Sequence, residues 1–135
     1  MADIKSLNYA FAIRNWADVK ARGSDDVLFY TEKHGVSEAS RSNLFFVKNR
    51  VIHTPAHFIL EGITRKHVLA LAKGHYEVRV GTCLLEDFLS ADEVFTTGST
   101  KRVLPIFSID QQTINHGIRG PVTQHLYDLL VSHEN

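Results

Sequence analysis

Cysteine is almost absent from this 135-residue chain: Cys83 is the only one. A lone thiol excludes an internal disulfide framework, and a reducing compartment is its simplest setting. Net charge is absent too. Fifteen Lys and Arg balance fifteen Asp and Glu, so no overall basic field recruits nucleic acid or an anionic membrane. No apolar run approaches the length of a membrane span, and the opening MADIKSLNYAF lacks the pattern of a secretory signal. A cytoplasmic location is expected. Metal-binding patterns are missing as well. The eight histidines are scattered without an HxH or HExxH pair, and Pro55 breaks the helix that would put His53 and His57 on one face. The chain also lacks internal repeats, linkers and low-complexity tracts.

What remains is ordinary for one globular domain. Hydrophobic residues make up 44% of the chain, enough for a core, and charged residues 22%. Apolar spacing from Leu7 to Ala21 predicts a helix stopped by Gly23. DVLFYT (26–31) reads as a buried strand, EKHG as a turn and VSEAS as the return strand. SNLFFVK (42–48), a turn around Asn49 and VIHT (51–54) form a second hairpin-like unit. The period then changes: after Gly62, ILEGITRKHVLALAK suits a helix ending at Lys73-Gly74. YEVRVGT (76–82) alternates as a half-exposed strand, LLEDFLSA is a short helix, and EVFTT (93–97) and VLPIFSI (103–109) are strands. A last helix over roughly 121–132 follows Gly120-Pro121. The expected fold class is α+β, built on an antiparallel sheet with flanking helices.

Four stretches carry chemistry when taken together: DIKSLN (3–8), VSEASRSNLFFV (36–47), LEGITRKHVL (60–69) and TTGST (96–100). Alone, each has an ordinary reading. Lys5 is a solvated lysine near a terminus, Glu38 a carboxylate on a solvated strand face, Thr64 a residue at a helix start, and Leu60 a core leucine. Their order and separations, however, resemble the class IV (fold-type IV) family of pyridoxal-phosphate enzymes. That family includes branched-chain and D-amino-acid aminotransferases and aminodeoxychorismate lyase. The likeness runs from Asp3 to the last helix, and the run of Glu, small residue, Asn and aromatic, then Thr, then Leu-x-Gly-Ile-Thr-Arg is its specific part.

The resemblance implies a pseudo-barrel-like sheet, pyridoxal 5′-phosphate as cofactor, amino acid and 2-oxo acid substrates, and a homodimer. It makes Lys5 the amine that condenses with the cofactor aldehyde and then shuttles a proton. Such an amine needs a neutral fraction, which desolvation and nearby positive charge supply. Glu38, with Arg41 close in sequence, would hold the ring nitrogen protonated, Asn43 and Phe45 completing that motif. Leu60 would pack on the ring, and Tyr9 would approach its phenolic oxygen. The phosphate would sit at the N-terminus of the helix after Gly62, on Ile63 and Thr64, with Ser99 of the loop 97–100 adding a hydroxyl.

Departures from the family are specific. TPAHFIL, between Thr54 and Leu60, is about two residues short, and Lys101-Arg102 follow the GST loop where relatives carry small, polar or acidic residues. Members also carry a smaller N-terminal domain, which supplies an arginine to the phosphate site and much of the substrate pocket. The expectation is a single cofactor-binding C-terminal domain over 1–135, with that smaller domain absent. Amino transfer is the leading activity; lyase-type β-elimination and a non-catalytic remnant with a structural role stay open.

Overall fold

The computed structural model describes residues 3–8, 26–39, 42–56, 59–99, 102–110 and 112–134, with side chains described from residue 26 onward. Among these residues ten strands form one sheet. They are β1 (Asp3–Asn8), β2 (Asp26–Thr31), β3 (Gly35–Ala39), β4 (Asn43–Lys48), β5 (Val51–Pro55), β6 (Val78–Gly81), β7 (Glu93–Gly98), β8 (Arg102–Pro105), β9 (Ser108–Ile109) and β10 (Gln112–Thr113). The helices are α1 (Ile63–Ala72), α2 (Leu85–Leu89) and α3 (Pro121–Glu134). The main path runs β10-β9-β1-β2-β3-β4-β5-β6, and β7 and β8 branch from β4. Most pairings are antiparallel, but β1 runs parallel to both β2 and β9, and β5 parallel to β6. Among the described residues the path is open rather than closed into a barrel.

Strand β4 organises the core. Its run NLFFVK lacks polar alternation because both its faces are covered. Leu44 and Phe46 join one cluster with Leu28, Phe88 and Ile109, while Phe45 and Val47 join the other with Val68, Phe95 and Leu126. Phe45 stacks on Phe95 with centroids 4.8 Å apart. The turn to β5 places Asn49 and Arg50 at φ 51° and 64°, the left-handed pair that matches strand twist in a two-residue hairpin. Helices α1 and α3 cover the Phe45 face.

Two expectations change. Leu7 and Asn8 belong to β1 instead of opening a helix; pairing with β2 overrides local spacing, and residues 9–25 lie outside the described ones. VLPIFSI is two strands, not one. β8 ends at Pro105, which has no N–H to continue the ladder, and after residues 106–107 the chain pairs instead with β1.

Candidate active site

Four strands set one residue each side by side. Glu38 of β3 pairs with Asn43 of β4, Asn43 with Thr97 of β7, and Thr97 with Val103 of β8. Opposed residues share a face, and strand alternation from Phe45 and Phe95 puts this row on the side carrying α1 and α3. The connection leading into α1 is fastened to one end of the row. The Leu60 N–H donates to Glu38 Oε2 at 3.3 Å. Asn43 Nδ2 donates to the Leu60 carbonyl at 3.1 Å, and the Gly62 N–H donates to Asn43 Oδ1 at 3.2 Å. A Cβ at position 62 would lie 3.1 Å from Asn43 Oδ1, so glycine permits this close approach.

Two more buried groups brace this region, Arg65 on the connection between β5 and α1 and Thr54 between β5 and β4. Arg65 donates to Glu61 Oε1 at 2.8 Å and to the Pro55 carbonyl at 3.2 Å. Thr54 Oγ1 donates to the Leu44 carbonyl at 2.7 Å. The arginine stands on the first turn of α1, so its bond to the Pro55 carbonyl ties the helix to the end of β5 and its bond to Glu61 ties it to the connection.

The electrostatics follow from this frame. Desolvation pushes the Glu38 carboxyl above its ordinary pKa, and the bond from the Leu60 N–H only partly opposes this. Helix α1 has Gly62 at its cap, no side-chain cap bond and no acidic residue in its first turn. Its first-turn N–H groups have no intrahelical acceptor, and the dipole there favours an anion. Thr97 Oγ1 is buried without a hydrogen-bond partner among the described residues. Leu60 and Ile63, on either side of Gly62, are 82% and 74% exposed.

Glu38, Leu60, Ile63 and Thr64 are thus brought together at one end of the sheet. Ser99 stands in the exposed turn after β7, two residues beyond Thr97. Lys5 lies in β1 opposite Val27 of β2, and β2 pairs with β3. It is therefore two strands from the Glu38 strand, roughly 10 Å at ordinary strand spacing. Tyr9, Arg41, His57, Thr100 and Lys101 fall outside the described residues. Sequence reasoning gave Asn43 and Arg65 only places in a pattern and counted Thr97 with the 97–100 loop as a phosphate donor, whereas the structure places it inside β7, opposite Asn43. The signal for Asn43 and Arg65 was their position in the two motif stretches. Nothing in the sequence marks Thr97 as buried and unpartnered.

The description "Amino-transferase class IV" belongs to the family whose sequence model matches residues 1–109. The chain belongs to that family. It is 37% identical over 126 residues to a putative branched-chain-amino-acid aminotransferase of Methanocaldococcus jannaschii, covering 91% of this chain and 44% of that protein. It is 35% identical over 133 residues to a D-alanine aminotransferase of Bacillus licheniformis, covering 95% and 46%. Among solved structures, the branched-chain amino acid aminotransferase from Thermobaculum terrenum in its PLP-bound holo-form superposes with a TM-score of 0.83 at 29% identity, over 98% of this chain and 50% of that one. The chain spans about half the length of these relatives. No helix among the described residues is long and apolar enough to cross a membrane.

Proposed function

We propose that this chain holds pyridoxal 5′-phosphate for an aminotransferase that moves an amino group between an amino acid and a 2-oxo acid, of the branched-chain or D-amino-acid kind. One observation carries the reading. A carboxylate and an uncapped helix N-terminus are bonded into one frame, Glu38 through Leu60 and α1 through Gly62, with Asn43 between them.

The residues fit the cofactor. When bound, it supplies an aldehyde and an electron-withdrawing pyridinium ring. Glu38 suits the ring nitrogen, because a cationic partner relieves the cost of burying its charge. The first-turn N–H groups at Ile63 and Thr64, with the Thr64 and Ser99 hydroxyls, suit a phosphate. The unpartnered Thr97 hydroxyl marks a polar demand on the same face. Leu60 offers an exposed apolar side chain to a ring. Lys5 would bind the aldehyde carbon and, once freed, carry a proton between the substrate α-carbon and that carbon. Tyr9 would support the phenolic oxygen. A cytoplasmic homodimer completes the reading, tested by sedimentation at the dimer mass.

The test mixes the purified protein with pyridoxal 5′-phosphate and records its visible spectrum beside that of Lys5→Ala. A lysine-dependent band, followed by amino transfer from leucine or D-alanine to 2-oxoglutarate, is the expected result. Identical spectra for the two proteins would sink the proposal.

A further inference from the structure

Asn43 is buried at the junction of the two half-sites, and its carboxamide is the right group for that place. It must accept from one backbone N–H, that of Gly62, and donate to one backbone carbonyl, that of Leu60. A carboxamide does both at once; a carboxylate at neutral pH can only accept, and serine has a single oxygen on a shorter arm. The Leu60 peptide is thereby held from both ends, its N–H on Glu38 and its C=O on Asn43. Because Glu38 and Asn43 are cross-strand partners, the sheet register fixes their separation. Asn43 then transmits that register to Gly62, the residue from which α1 starts.

We infer that Asn43 is a positioning residue: it sets the spacing between the Glu38 carboxylate and the N-terminus of α1, so that one rigid ligand carrying a ring nitrogen and a phosphate spans both. This rests on the proposed pyridoxal 5′-phosphate site and assigns the residue that makes its two halves act together. Spacing contributes only to a ligand that reaches both halves, as with any linked pair of binding groups. The Gly62 amide is bonded to Asn43 Oδ1, and the hydroxyl of Thr97, opposite Asn43, has no hydrogen-bond partner among the described residues.

The test measures equilibrium binding of three probes, pyridoxal 5′-phosphate, pyridoxal and inorganic phosphate, to wild type, Asn43→Ala and Asn43→Asp. Amide hydrogen exchange at Gly62 is followed in the same proteins. For Asn43→Ala, pyridoxal 5′-phosphate should bind about tenfold or more weakly, the scale of one lost buried hydrogen bond. Pyridoxal and phosphate alone should each change less than about threefold. Exchange at Gly62 should accelerate about tenfold in Asn43→Ala and stay slow in Asn43→Asp, which keeps the acceptor. Equal weakening of all three probes, or unchanged exchange at Gly62 in Asn43→Ala, overturns the inference. Failure of wild type to bind pyridoxal 5′-phosphate instead overturns the cofactor reading, and the exchange arm still decides whether Asn43 holds Gly62.

Discussion

Replacing Glu38 by glutamine should make the protein more stable and a worse binder of pyridoxal 5′-phosphate. The side chain is half-buried and accepts one backbone hydrogen bond, from Leu60; among the described residues no ion pair includes it. Burial therefore raises its pKa above the unfolded value. Neutral Glu38 costs little to fold, whereas ionised Glu38 is favoured by the unfolded chain. Its contribution to stability is present below the unfolded pKa and is lost as pH rises through the raised folded one. Glutamine keeps the bond to Leu60 and removes the charge. The variant should melt higher than wild type at about pH 8, and the two should converge at about pH 3, where both side chains are neutral. Binding should move the other way. A charge-assisted hydrogen bond to a ring nitrogen is worth about 1.5–3 kcal/mol, which is roughly 10- to 100-fold in the dissociation constant. Thermal melts at the two pH values and a spectroscopic titration with pyridoxal 5′-phosphate read both effects. A variant that melts lower at about pH 8, or binds as tightly as wild type, would refute the reasoning.

Three further predictions concern the frame behind the site. The Glu93 carboxylate caps α3 from strand β7, accepting from the Val122 N–H at 3.2 Å and from the Thr123 N–H and Oγ1 at 2.8 Å each. Glu93→Ala should cost about 3 kcal/mol, roughly one per bond, as a lower urea midpoint at constant m-value. Gly35 sits at φ 74°, and a Cβ there would run into the Cys83 carbonyl, which accepts the Val36 N–H at 2.7 Å. Gly35→Ala should destabilise by more than about 2 kcal/mol in the same assay. Burial, with a smaller contribution from Asp87, pushes the Cys83 thiol up to about 12. It should alkylate on the order of 1,000-fold more slowly than a free thiol at about pH 8, and rapidly once urea unfolds the chain.

Strands with a buried apolar run were legible in the sequence because burial on two faces leaves a continuous signal. DVLFYT became β2 with the expected bounds, and SNLFFVK became β4 one residue shorter. Helix α1 was legible from the change of period after Gly62. What could not be read was set by partners distant in sequence. β1 is a strand because β2 and β9 flank it, and local helical spacing at Leu7 carries no trace of either. The parallel pairings depend on where long connections return, which composition does not encode. At the site, the residue types and their order were legible, but not which polar groups were buried. Arg65 and Asn43 look like ordinary surface choices in a string, and only the packed connection over β4 turns them into anchors.

The same packing explains why the site costs the fold something before any ligand arrives. A buried hydroxyl without a partner, a carboxylate whose charge is penalised by burial, an uncapped helix start and two exposed apolar side chains lie within one end of the sheet. Each feature is individually unfavourable, and a sequence selected for stability alone could remove them by a cap at residue 62, glutamine at 38 and valine at 97. A side chain at 62 would press on Asn43 Oδ1, 3.1 Å from the Cβ position, so a cap there comes only by shifting the bond that sets the frame. A single ligand with an apolar ring, a cationic nitrogen and an anionic end would answer the carboxylate, the helix start and the apolar side chains together. Because such a ligand binds only the folded chain, 100-fold excess over its dissociation constant would add about 2.7 kcal/mol of stability. Pyridoxal, lacking the anionic end, leaves the helix start unanswered and should raise the melting temperature far less than pyridoxal 5′-phosphate at equal concentration.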